Sequence, residues 1–165
     1  MRKLIPIAII LFLSSCRVTT YYVVRHAEKE SSSATMTSDV PLSSAGKERA
    51  IELKKALQNA HIRYIFSTNY NRTLSTAEPT RQYFNTDIII YDTRDSMKQF
   101  IERLRKINDG NCLIIGHSNT VDDIVNQLVG KNVIAGDLPD AAYGDLFIVE
   151  KRGGKYTFRK SHFGK

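Results

Sequence analysis

The chain is poor in the features that would assign it to several well-marked classes. It has two cysteines, too few for a disulfide framework and enough for at most one pair, Cys16 with Cys112. No His-x3-His spacing and no cluster of carboxylates accompanies its histidines, so a metallohydrolase built on His26 and His117 finds little support. Zinc-finger, RNP-like and basic-helix patterns are missing as well. The formal charge of +7 is diffuse, which suits an anionic substrate or an anionic membrane face and argues against a nucleic-acid partner. There is no internal repeat and no long linker.

Long hydrophobic runs are equally scarce. The run at the amino end, Leu4 to Leu13, follows the positive start Met1-Arg2-Lys3 and has the length of a signal peptide rather than of a membrane span. Leu13-Ser14-Ser15-Cys16 then supplies small residues before a cysteine, as in a bacterial lipoprotein signal cut before Cys16. This reading divides the chain into a signal peptide (1–15), a short tether (16–20) and one domain (21–165). It expects lipid on Cys16 and hence a membrane contact. It also expects a place in the bacterial cell envelope, on the periplasmic or outer-surface side. An ordinary secretory peptide or an uncleaved anchor is the alternative. Loss of Arg2 and Lys3 with the signal lowers the formal charge from +7 to +5. Cys112, inside an apolar run, is then a lone buried thiol.

What is present is an alternation of strand and helix patterns. Thr20 to Val24 reads as a short buried strand ending at Arg25-His26. The polar stretch from Lys29 to Pro41 is either a cover over a site or a plain solvated connector. Ser43-Ser44 opens a helix with Ala50, Leu53, Leu57 and Ala60 on one face, and His61 at its end would serve the helix dipole. Ile62 to Ser67 is a second strand. The helix of Arg72 follows, and Pro79 should kink or break it. Asp87 to Tyr91 is a third strand, followed by a helix with Met97, Phe100, Ile101, Leu104 and Ile107 inward and Asp95 as its natural cap. Asn111 to Ile115 leads to Gly116-His117 and to a helix burying Val121, Ile124, Val125 and Leu128. Asp145 to Lys151, Gly153-Gly154 and Lys155 to Arg159 close the chain as a hairpin. The expected fold is α/β: a three-layer α/β/α sandwich on a mostly parallel sheet with an antiparallel closing hairpin.

Three of the strand-to-helix junctions deliver a histidine, an arginine or both, at the ends of strands where α/β proteins gather their ligands. The residues are Arg25-His26-Ala27-Glu28-Lys29, then Ser67-x4-Arg72-Thr73-x2-Thr76-Ala77-Glu78-Pro79, then Gly116-His117-Ser118-Asn119-Thr120. In that order they resemble the histidine phosphatase superfamily, and its short branch, similar to the bacterial phosphohistidine phosphatases, from about Tyr21 to about Val149.

The resemblance implies a metal-independent phosphatase, without cofactor, acting on a small phosphorylated substrate through a phosphohistidine on His26. Arg25, Arg72 and His117 would hold the phosphoryl oxygens, since guanidinium keeps its charge and grips phosphate as a fork. Ser118 and backbone amides ahead of Val121 would add to that grip. The family's acidic motif for leaving-group protonation is absent here. Asp92 is the first candidate for that role, with Asp95, Glu28 or no acid at all as alternatives. A membrane-anchored module that binds phospholigands without turnover, or a phosphomutase of the same superfamily, are the competing readings. Oligomeric state is left open.

Overall fold

Alternation along each central strand sorts apolar side chains onto two faces, and each face needs its own cover. In β1 (Val18–Arg25), Tyr21 and Val23 enter one core cluster while Val24 enters another. In β4 (Asn111–Gly116), Cys112 and Ile114 divide in the same way from Leu113 and Ile115. The first cluster is closed by α3 (Thr93–Lys106) and α4 (Val121–Val129), through Phe100, Ile101, Leu104, Ile124 and Val125. The second is closed by α1 (Ser44–Leu57) and α2 (Asn71–Phe84), through Leu53, Leu57 and Ala77. These layers are seen in a computed structural model that describes residues 17–30 and 39–164, the side chains of residues 93–96 excepted.

With β2 (Ile62–Ser67), β3 (Ile88–Ile90), β5 (Asp145–Arg152) and β6 (Lys155–His162), the sheet has six strands in the order β3-β2-β4-β1-β5-β6. The first four in that order run parallel; β5 is antiparallel to β1 and to β6. The expected three-layer sandwich with a closing hairpin is therefore what the chain forms. Gly153 and Gly154 make its two-residue turn with φ of 54° and 80°, the left-handed pair that a tight hairpin requires.

Several local expectations are corrected. β1 begins at Val18, inside the stretch read as tether, because Val18 to Thr20 pair with Arg152 to Glu150 of β5. Pro79 does not end α2, which runs on to Phe84; a proline costs one backbone bond there, and the packing of Ala77 and Thr80 holds the helix together. β3 is two residues shorter than expected, although Tyr91 N–H still reaches the Ser67 carbonyl at 3.0 Å. α3 begins at Thr93, so Asp95 lies in its first turn and is not its cap. α1 stops at Leu57, leaving His61 exposed with a φ of 48° just before β2, not on the helix end. Ser43 does cap α1, accepting from Gly46 N–H.

Cys112 is free and fully buried, and burial pushes its thiol up to about 12. Among the described residues no helix is long and apolar enough to cross a membrane. The signal peptide, Cys16 and most of the Lys29–Pro41 stretch lie outside the described residues.

Ile114 sits at 0% exposure on β4, flanked by β1 and β2. Ile114→Ala is expected to lower stability by about 2–5 kcal/mol, read as a fall in the urea midpoint at unchanged slope.

Candidate active site

The parallel pairing of β1 with β4 sets Arg25 opposite Gly116. The ladder then goes one residue further: His26 N–H donates to the Gly116 carbonyl at 2.9 Å. Two histidines that lie far apart in sequence thus emerge side by side, their ring centroids 5.5 Å apart and their planes at 65°. Gly116 is needed for this close approach, since a Cβ there would stand 2.9 Å from Thr120 Oγ1 and 3.2 Å from the Tyr91 hydroxyl. β2 flanks β4 on its other side and supplies Thr68 and, one turn on, Arg72. Connections from β1 through β2 to β3 move along the sheet, and the β3-to-β4 connection returns between them. That reversal opens a crevice at the carboxyl ends of the strands.

His26 is buried at 5% exposure. Its Nδ1 lies 2.8 Å from the Ala27 carbonyl, which can only accept, so Nδ1 carries the proton and Nε2 keeps a lone pair. Burial is the main force that lowers the His26 pKa to about 4, reinforced by Arg72, His117 and Arg25 and opposed by the bond to Ala27. The loop that carries it is fixed from two directions. Ala27 N–H donates to Thr76 Oγ1 at 2.9 Å, and Thr76 donates onward to the Arg72 carbonyl at 2.7 Å. On the other side, α1 packs so closely that a Cβ on Gly46 would lie 2.1 Å from the Glu28 carbonyl oxygen.

His117 is half-buried, and burial followed by Arg72 and Arg25 lowers its pKa to about 4. Arg72 Nη2 donates to its Nδ1 at 3.4 Å. A guanidinium cannot accept, so the proton of this ring is on Nε2, donated to Thr68 Oγ1 at 2.9 Å. Thr68 reaches Thr73 Oγ1 at 3.1 Å, and Thr73 bonds the carbonyls of Thr68 and Tyr70, both at 2.9 Å. The result is a buried chain of hydroxyls ending on the histidine.

Arg25 and Arg72 flank the two rings, each against a tyrosine. Arg25 lies 4.3 Å over Tyr143 and Arg72 4.5 Å over Tyr70. Arg25 Nη1 donates to the carbonyls of Pro139 and Asp140, both at 3.0 Å, and its Nη2 is 3.7 Å from the Asp140 carboxylate. Leu138 N–H donates to the Ser118 carbonyl at 2.9 Å and fixes the same loop to the β4–α4 turn. The loop between α4 and β5 is thus a wall of the site.

These groups line one cleft of about 620 Å³. Arg25, His26, Arg72, His117, Ser118 and Asp92 all border it, joined by Lys29, Thr68, Tyr70 and Asp140. Asp92 is exposed at its mouth, beyond β3. Glu28 does not border it; its carboxylate is gripped by Arg49, with Nε at 2.7 and 2.8 Å and Nη2 at 2.6 Å. Partial burial pushes that carboxyl up, but the bonds from Arg49 outweigh it and the net shift is downward. The Asp95 side chain is outside the described residues. Among the described residues, no three His, Cys, Asp or Glu side chains converge as a metal site would need.

Thr68, Thr76, Tyr143 and Asp140 carried no role in the sequence reading. Thr76 stands within the motif that runs from Ser67 to Pro79, so a signal for it existed. Nothing in the order of residues brings Asp140 and Tyr143 to Arg25.

Residues 21–93 match the histidine phosphatase superfamily, branch 1. The match spans β1 to β3, with Arg25, His26, Arg72 and Asp92, and stops short of His117. No curated protein matches the sequence. Among solved structures, SixA from Nakamurella multipartitia is 17% identical with a TM-score of 0.68, covering 90% of this chain and 98% of that one. A protein histidine phosphatase SixA solved with tungstate is 16% identical with a TM-score of 0.70, covering 87% and 97%. A phosphoglycerate mutase from Bacillus anthracis is 16% identical with a TM-score of 0.62, covering 88% and 93%. The chain shares the fold of these solved structures. At such identities the likeness carries the fold and leaves the reaction to the site.

Both histidine rings should stay neutral down to about pH 4, visible as late-titrating imidazole signals in an NMR pH series. Each pKa lies below the ordinary 6.5, so between those values the unfolded chain binds more protons than the folded one. Stability is accordingly expected to fall as the pH drops from about 6.5 towards 4, read from urea midpoints.

Proposed function

We propose that the protein is a phosphatase that hydrolyses accessible phosphomonoesters without a metal, through a phosphohistidine on His26. The single observation that carries this reading is the His26 ring, its Nδ1 held by the Ala27 carbonyl, in one cleft with Arg25, Arg72 and His117. The family match and the shared fold support a phosphatase in the general sense.

The His26 Nε2 lone pair attacks phosphorus as the bond to the leaving oxygen breaks. The new phosphoimidazolium keeps its Nδ1 proton on Ala27 O, so its positive charge is stabilised. Water then attacks phosphorus, the P–N bond breaks, and inorganic phosphate leaves with His26 restored. Phosphoryl transfer asks mainly for positioning and charge neutralisation, which Arg25 and Arg72 supply as fixed cations. Asp92 at the cleft mouth is the side chain to protonate the leaving oxygen; Asp140, on the opposite wall, is the second carboxylate bordering the cleft. Glu28 is unsuited, because its ion pair with Arg49 holds it ionised. The open, polar cleft fits a small phosphorylated substrate.

His117 must change its proton to take part. In the unliganded arrangement its Nδ1 accepts from Arg72; to donate to a phosphoryl oxygen from that nitrogen the neutral ring must lose its Nε2 proton to solvent in the open cleft and take one from solvent at Nδ1. Thr68 permits this, because a hydroxyl that accepts from Nε2 can turn and donate to it instead. Thr68 is a positioning residue on this account.

Hydrolysis of para-nitrophenyl phosphate in excess chelator is expected for the wild type and lost in His26→Ala. Loss to chelator alone would overturn the metal-free reading, and phosphate binding without turnover would make the protein a binding module. Thr68→Val should lower kcat about tenfold, the worth of one hydrogen bond, with KM little changed, and Thr68→Ser should restore it.

A further inference from the structure

We propose that the edge of the sheet opposite the cleft is a docking face for an anionic lipid surface, and that it holds the cleft turned away from that surface. The inference rests on charge and topology and is independent of the reaction at His26.

The parallel strands begin at this edge, and the antiparallel hairpin returns to it: Val18 pairs with Arg152, and Arg152 with Lys155. The end of α3 is tied to the same place. Thr19 Oγ1 donates to the Ile107 carbonyl at 3.5 Å, and Lys151 Nζ donates to the same carbonyl at 3.2 Å. Arg17, Lys106, Arg152 and Lys155 are therefore neighbours, and all four are exposed. None has a carboxylate within ion-pair distance among the described residues. Asp109, the acid nearest in sequence to Lys106, is taken by Arg63 at 2.9 Å.

Ordinary structural reasons cover part of this patch only. Lys106 ends a helix and suits its dipole; Lys155 guards an edge strand. Arg17 precedes a central strand and Arg152 ends an interior one, so neither rule applies to them. At the cleft end of the strands the exposed acids Asp137 and Asp140 stand beside the exposed Lys29 and the cleft's own Arg25 and Arg72, with Asp140 held by Arg25, so the direction of docking comes from the basic patch itself. A basic patch confined to one end of the strands orients the domain as well as attracting it.

Residue 17 also stands at the basic edge, so whatever lies ahead of it joins the domain there. A lipid on Cys16, as the sequence leads one to expect, would enter a membrane beside the patch. Eight residues of β1 at about 3.3 Å each put the cleft roughly 25 Å from the surface. That is well beyond a Debye length of about 8 Å at physiological salt, so the site would meet phosphoryl groups dissolved in water.

The test is flotation of the full chain with vesicles of phosphatidylcholine alone and with vesicles in which about a third of the lipid is phosphatidylglycerol. Neutral vesicles measure the part due to the apolar amino end. The anionic lipid is expected to raise binding about tenfold at low salt, an increment removed by high salt and by Arg17→Glu/Lys106→Glu/Arg152→Glu/Lys155→Glu. The milder pair Arg152→Gln/Lys155→Gln should remove about half of its logarithm; unchanged circular dichroism certifies the fold of either variant. Equal binding to both vesicles, or an increment that survives charge reversal in a folded variant, would overturn the proposal.

Discussion

The hydrogen bond from the His26 amide to the Gly116 carbonyl is the constraint on which the site depends. It prolongs the β1–β4 ladder past the last regular pair, Arg25 with Gly116, and fixes where two distant histidines stand. Side chains alternate along a strand, so a slip of one residue would turn every one of them to the opposite face. The register is protected by the core: Tyr21 and Val23 must meet one helical layer while Val24 meets the other. Burial of the two faces therefore does more than stabilise the sheet. It sets the separation and approach of the two histidine rings.

Electrostatics follows from that placement. Two histidines taken out of water beside two arginines are held neutral, because a further positive charge there would be poorly solvated and repelled. For the proposed nucleophile, neutrality would be useless without a defined tautomer, and the Ala27 carbonyl provides it. The second ring answers to a hydroxyl chain that can run either way. Arg25 and Arg72 are immobilised by tyrosine faces and, for Arg25, by backbone carbonyls of the α4–β5 loop. Fixed cations of this kind need little rearrangement when charge develops on a transferring phosphoryl group.

The order of elements, both sheet faces and the closing hairpin were legible because periodicity and turn residues are local signals. The junction residues Arg25, His26, Arg72, His117, Ser118 and Asp92 were legible because each ends a strand or opens a helix, and the structure brings all of them to one cleft. Long-range contacts were not legible. The carbonyls of Pro139 and Asp140 meet Arg25 more than a hundred residues away, and no pattern within the loop announces it. Glu28 looked like a possible acid from its closeness to His26 in sequence; only the structure reveals Arg49 across from it. Pro79 read as a breaker because its cost is local, whereas the packing that offsets the cost is not.

The central claim is that His26 becomes covalently phosphorylated during turnover. The most direct measurement is to quench the reaction with alkali, which preserves a P–N bond, and to map the modified residue by mass spectrometry. A phosphoryl group on His26, lost in acid and formed within one turnover, is the predicted result. Steady hydrolysis with no phosphoenzyme at any time of quench, or with phosphate on another residue, would contradict the account.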